Sequence, residues 1–141
     1  MATKTKATFS EEEQAAMKEA VRERKAARSG KVDGLADLKA KIAELPEPDR
    51  TMAARVHELV MAAAPKLEPK TWYGMPAWSL GGKSICFFQP AAKFKVRYAT
   101  LGFQPDAALD DGPMWPNAYA LIELTPDSEA RITELVKRAV G

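Results

Sequence analysis

The sequence predicts an α+β domain in which helices cover one face of an antiparallel sheet and leave the other face partly open. Three observations carry the prediction. Apolar residues recur at helical spacing through residues 33–64. Short extended runs separated by turn residues replace that pattern from about Lys70 to Leu124, and helical spacing returns after Thr125. Runs of helix, then strand, then helix are the mark of an α+β plan.

Residues 1–9 read as a disordered lead. Ser10 opens a first helix, because Glu13 stands three residues on and completes a capping box. Glutamates fill its first turn and Arg22, Arg24, Lys25 and Arg28 its end, before Gly30, which matches the helix dipole. The apolar stripe is thin, mainly Met17, Ala20 and Val21, so this helix is expected on the surface or projecting from it. Residues 1–30 are read as a lead plus a peripheral helix, and residues 31–141 as the domain proper.

Asp33 caps a second helix to about Leu45, with Leu35, Leu38, Ile42 and Leu45 on one face. Pro46 and Pro48 break it. A third helix, from about Pro48 to Ala64, carries Met52, Val56, Leu59, Val60 and Ala63 in one stripe and ends at Pro65. Extended pieces follow at Lys70–Gly74 and Ala77–Leu80, around Met75-Pro76. Gly81-Gly82 is a two-residue hairpin signal. Ser84–Gln89 is apolar on both faces, as a central strand requires. Lys93–Ala99 alternates, with Phe94, Val96 and Tyr98 on one side and Lys95 and Arg97 on the other, and reads as a strand. Residues 101–116 are rich in turn formers and read as a long loop. Asn117–Leu124 is the last expected strand. Thr125 caps the final helix, with Pro126 at its first position and Ile132, Leu135, Val136 and Val140 inward.

The 141 residues suit one domain, and the composition, 46% apolar and 28% charged, is that of a globular protein. Such a chain buries roughly two-thirds of its unfolded surface and needs neither disulfide nor metal to hold together. The lone cysteine, Cys86, excludes an internal disulfide and favours a reducing, cytoplasmic setting. No secretory leader and no run of about 20 apolar residues is present, so no membrane partner is expected. The net charge of +2 resides wholly in the first 34 residues, and the remainder is neutral. That is a poor footprint for nucleic acid.

No catalytic residue is assigned. His57, the single histidine, points away from its helix's apolar stripe. Cys86 lies mid-strand with no basic neighbour to lower its pKa. One cysteine and one histidine cannot make a zinc site, and Asp106, Asp110 and Asp111 lack calcium-loop spacing and read as turn residues, so no metal site is assigned. No cofactor is expected, because Gly81-Gly82-Lys83-Ser84 lacks the rest of a phosphate loop. The aromatic set is more informative. Tyr73, Met75 and Trp78 surround the Met75-Pro76 turn, near Trp72. Trp115 lies in the long loop, and Lys95 and Arg97 share a strand face. Converging on the open sheet face, these six would hold a small anionic or aromatic ligand.

Tyr73-Gly74-Met75-Pro76-Ala77-Trp78 resembles the Y-G-M-P-A-F/W stretch of the YdhG-like family of small bacterial domains. Ile42-Ala43-Glu44-Leu45-Pro46, the glycine hairpin and the Thr-Pro-capped final helix resemble it too, so the likeness spans about residues 33–140. It implies a frataxin-like fold, helices against a twisted antiparallel sheet. For some members it implies iron delivery from an acidic ridge, which this chain lacks, since Lys39 and Lys41 interrupt Asp37 and Glu44. The expectation is therefore a binding domain, not an enzyme, taking a small ligand on the open sheet face with the 101–116 loop as a lid. The alternatives are a frataxin-like iron chaperone using Glu47, Asp49, Asp106, Asp110 and Asp111, and an interaction module whose N-terminal helix docks on a protein partner or a second copy.

Overall fold

A computed structural model describes residues 10–29 and 33–141. The expected disordered lead and the boundary at residue 30 lie outside the described residues. Those described form four helices and one five-stranded antiparallel sheet: α1 (Glu11–Ser29), α2 (Gly34–Ala43), α3 (Asp49–Ala63), β1 (Glu68–Trp72), β2 (Met75–Leu80), β3 (Lys83–Gln89), β4 (Ala99–Phe103), β5 (Ala118–Leu121) and α4 (Pro126–Ala139).

The helix starts follow the local chemistry. Glu13 N–H donates to Ser10 Oγ at 3.1 Å, and Ser10 N–H to the Glu13 carboxylate at 3.0 Å. Asp33 caps α2 through the Ala36 N–H. Thr125 and Ser128 cap α4 reciprocally, with Pro126 in the first turn. Each cap satisfies amides that the helix cannot.

The strands pair in chain order, β1-β2-β3-β4-β5, which makes β3 central. Gly81 and Gly82, at φ 58° and 83°, make the β2–β3 turn, as a two-residue hairpin demands. Register places Trp78 opposite Cys86 and Cys86 opposite Phe103. These residues, with Phe88 and Leu101, share one face. Leu38 and Ile42 of α2, Val56 and Val60 of α3, and Ile132, Leu135 and Val136 of α4 join them in a single buried cluster. Burying each such side chain contributes about 1.5–3 kcal/mol, most of it offset by the entropy of ordering the chain.

Met75, Ala77, Phe87 and Gln89 point to the opposite face. Over β4 that face is thin: a Cβ on Gly102 would collide with the Phe87 ring. At the β1–β2 hairpin the face is covered by α1, which buries Ala16 and Ala20 there.

Two expectations change. Residues 93–98 are not a strand. After Pro90 the chain closes on itself: Lys95 N–H donates to Ala92 O at 3.2 Å and Val96 N–H to Ala91 O at 3.0 Å, with Lys95 at φ 55°. The buried Asp49 carboxylate accepts the Ala92 N–H at 2.9 Å and ties this turn to α3. Local hydrogen bonding satisfies these amides, so an alternating pattern of seven residues does not impose a strand. The strand lies instead at Ala99–Phe103, partly within the expected loop. Its Gly102 reads as turn punctuation but serves as room for a neighbouring ring. The loop proper therefore starts at residue 104. It buries Ala107 and Leu109, and its Ala108 N–H donates to Ala139 O at 2.9 Å. It covers the core beside α4 and is not a lid on the opposite face.

Candidate binding site

The site is built around the β1–β2 turn. Trp72 pairs with Met75, so Tyr73 and Gly74 alone reverse the chain, at φ 52° and 75°. Gly74 tolerates this conformation, whereas Tyr73 is strained in it. The turn's two amides converge on one carboxylate: Tyr73 N–H and Gly74 N–H each donate to Glu23 of α1 at 3.0 Å. One helical turn earlier, Glu19 receives Lys41 Nζ of α2 at 2.7 Å and Lys93 Nζ of the 91–98 turn at 2.7 Å. A Cβ on Gly74 would overlap the Glu19 carboxylate and crowd the Lys93 ammonium. Burial works to raise the Glu19 pKa, but the hydrogen bonds from Lys41 and Lys93 outweigh it and hold the carboxyl below its ordinary value. Burial opposes the charge on Lys41 as well, and Glu19 more than compensates, so the Lys41 pKa is raised. Further along, Lys95 Nζ meets Glu12 at 2.7 Å, which lowers the Glu12 pKa.

Beside the turn, between α1 and the sheet, lies an open recess of about 450 Å³. Trp72, Met75 and Phe87 line it from the sheet, Tyr73 and Phe94 from the adjoining turns, and Ala16 and Met17 from α1. Trp72 meets Tyr73 edge-on at 5.0 Å and Phe87 at 5.1 Å between ring centroids.

Of the six residues singled out by sequence, Tyr73 and Met75 line this recess, and the other four lie elsewhere. Trp78 is fully buried on the core face, where its indole N–H donates to His57 Nδ1 at 3.2 Å and the two rings stack. Period-two alternation puts it on the side opposite Met75 and Phe87. Lys95 and Arg97 project from the 91–98 turn, because no strand face exists there. Lys95 is engaged by Glu12, and Arg97 is exposed with its guanidinium 5.3 Å from the Tyr98 ring centre. Trp115 packs half-buried against the core cluster.

The residues that sequence reading missed are Glu19, Glu23, Lys41 and Lys93. A signal for the first two was present. Glu12, Ala16, Glu19, Ala20 and Glu23 recur at i, i+4, i+7, i+8 and i+11, an acidic stripe threaded with small residues on one helix face. Glutamate on an inward face forecasts cations or amides opposite it.

The remaining reactive groups have structural surroundings. Burial pushes the Cys86 thiol up to about 12. Burial, then Lys39, lowers the His57 pKa. Glu47 is engaged by Arg50 and Thr51. Among the described residues no group of three or more His, Cys, Asp and Glu side chains is placed to hold a metal ion, and no helix is long and apolar enough to cross a membrane. No family model, curated protein or solved structure matches the chain.

Proposed function

We propose that this chain is a small-molecule-binding domain whose ligand carries an aromatic body and an oxyanion, bound between α1 and the sheet. The observation that carries the reading is adjacency. An aromatic recess adjoins a turn whose two amides and two neighbouring lysines are already organised around carboxylates. Ligand pockets of this kind are mostly apolar, with a few convergent polar groups that fix orientation. The YdhG-like assignment and a reducing cytoplasmic setting for Cys86 belong to the same reading. Both rest on the sequence features that suggested them.

Thermal shift and tryptophan fluorescence test the reading, with phenyl phosphate, 3-phenylpropionate and the uncharged benzyl alcohol as probes. A ligand at about 100 times its Kd stabilises the fold by about 2.7 kcal/mol. The two anionic probes should raise Tm by several degrees, benzyl alcohol should have far less effect, and Phe87→Ala should weaken both anions. Equal response to all three probes, or no response at millimolar concentration, refutes the reading.

A further inference from the structure

We propose that α1 is an intramolecular competitor. Its Glu19 and Glu23 occupy an oxyanion subsite made by the Tyr73 and Gly74 amides with the Lys41 and Lys93 ammoniums, and the ligand's phosphate or carboxylate enters by displacing them. This inference rests on the reading above and adds how that site is regulated.

Every donor of the subsite belongs to the body of the domain, from the β1–β2 turn, α2 and the 91–98 turn. The closest acceptors all belong to α1; Glu44 at the end of α2 lies 3.4 Å from Lys41 Nζ and stays with the body. Two adjacent amides converging on the two oxygens of one carboxylate form a concave anion seat, and backbone N–H groups in such a seat bind phosphate as readily as carboxylate. Gly74 keeps the seat open, since a side chain there would fill the space that the Glu19 carboxylate occupies. Lysines bring charge without demanding one planar partner, so they accept either oxyanion.

The helix itself is lightly held. None of its described side chains belongs to the core cluster. Among its described side chains only the two small ones, Ala16 and Ala20, are buried, and Val21 stays half exposed. Cavities of about 520 Å³ and 450 Å³ open where its C-terminal and N-terminal halves meet the hairpin, so it does not seat flush. Its attachment is chiefly ionic: Glu12 to Lys95, Glu19 to Lys41 and Lys93, and Glu23 to the turn. Ionic attachment is what a competing anion removes, and salt screens its exposed part. A docked α1 also neutralises Lys41, Lys93 and Lys95. An anionic ligand is therefore electrostatically matched only after the glutamates have left.

The test uses the full chain, ¹⁵N-labelled, beside a Glu19→Ala/Glu23→Ala variant, each titrated with phenyl phosphate. Removing the competitor should tighten binding at least ~10-fold, a change within the range of typical coupling between sites. The Tyr73 and Gly74 amides should move on saturation, and adding Lys41→Ala/Lys93→Ala should cancel the gain. In the parent chain, saturating probe should speed hydrogen exchange of the α1 amides. A Glu19→Gln/Glu23→Gln pair, which keeps side-chain volume, replaces the alanine pair if the latter melts early. Equal affinity in parent and folded variant, or still Tyr73 and Gly74 amides, overturns the competitor while leaving the aromatic site intact. Amide shifts without change at the Trp72 indole uphold the subsite and overturn the aromatic reading instead.

Discussion

Replacing His57 by alanine should destabilise the fold through Trp78. The indole N–H of a fully buried tryptophan has His57 Nδ1, 3.2 Å away, as its acceptor. Removing that acceptor strands a buried donor, which costs about 1–3 kcal/mol, and the stacked ring is lost as well. Taking about 2 kcal/mol, and unfolding entropy proportional to length, Tm for 141 residues falls by roughly 7 °C. Urea unfolding followed by fluorescence measures the change. Trp78→Phe removes the donor, so His57→Ala should cost about 1–2 kcal/mol less in that background, the size expected for directly coupled residues. The burial of His57, with Lys39 nearby, also makes stability depend on pH. His57 is harder to protonate in the folded chain than at its ordinary value of 6.5. Below about pH 6.5 the unfolded chain takes up a proton that the folded chain refuses, so stability falls as pH drops and is fully present above that value. Additive costs in the double-mutant cycle, or an unchanged acid slope in His57→Ala, would refute this account.

Two further outcomes follow from the geometry. Cys86, buried and with its thiol pushed up to about 12, should not react with a disulfide reagent at neutral pH until the chain unfolds, so its labelling rate should track urea concentration; rapid native labelling would show that β3 is not sealed. Gly74→Ala should cost about 1–2 kcal/mol in backbone strain and should also lever α1 away through its collision with Glu19, so hydrogen exchange in α1 should accelerate while β3 stays protected; uniform acceleration would mean that α1 is integral to the core.

Much of the fold was legible because it is written locally. Ser10–Glu13, Asp33 and Thr125-Pro126 announce helix starts through bonds made within four residues, and Gly81-Gly82 announces its own turn. Ser84–Gln89 declares a central strand by being apolar on both faces. The failures came where distant partners decide. Gly102 sits in a strand because the ring of Phe87, fifteen positions earlier, needs the space. Residues 93–98 abandon an alternating pattern because Asp49 of α3 captures Ala92. The candidate site was half legible. Tyr73 and Met75 stand beside the recess, but Trp78 turns to the core because of a one-residue difference in parity. Glu19 and Glu23 went unread, since a helix with so thin an apolar stripe invites the view that nothing lies beneath it.

The strand order has a kinetic consequence. Each strand's neighbour in space is its neighbour in the chain, so the sheet can zip up by closing one loop after another, the longest over residues 104–117, and no segment must thread past a partner already placed. Such nearest-neighbour wiring favours rapid folding. Long-distance steps remain in the docking of α4 on α3, where Arg55 grips Glu129 through paired hydrogen bonds of 3.0 and 2.9 Å across 74 positions of sequence, and in the docking of α1, where Glu19 meets Lys93 across as many.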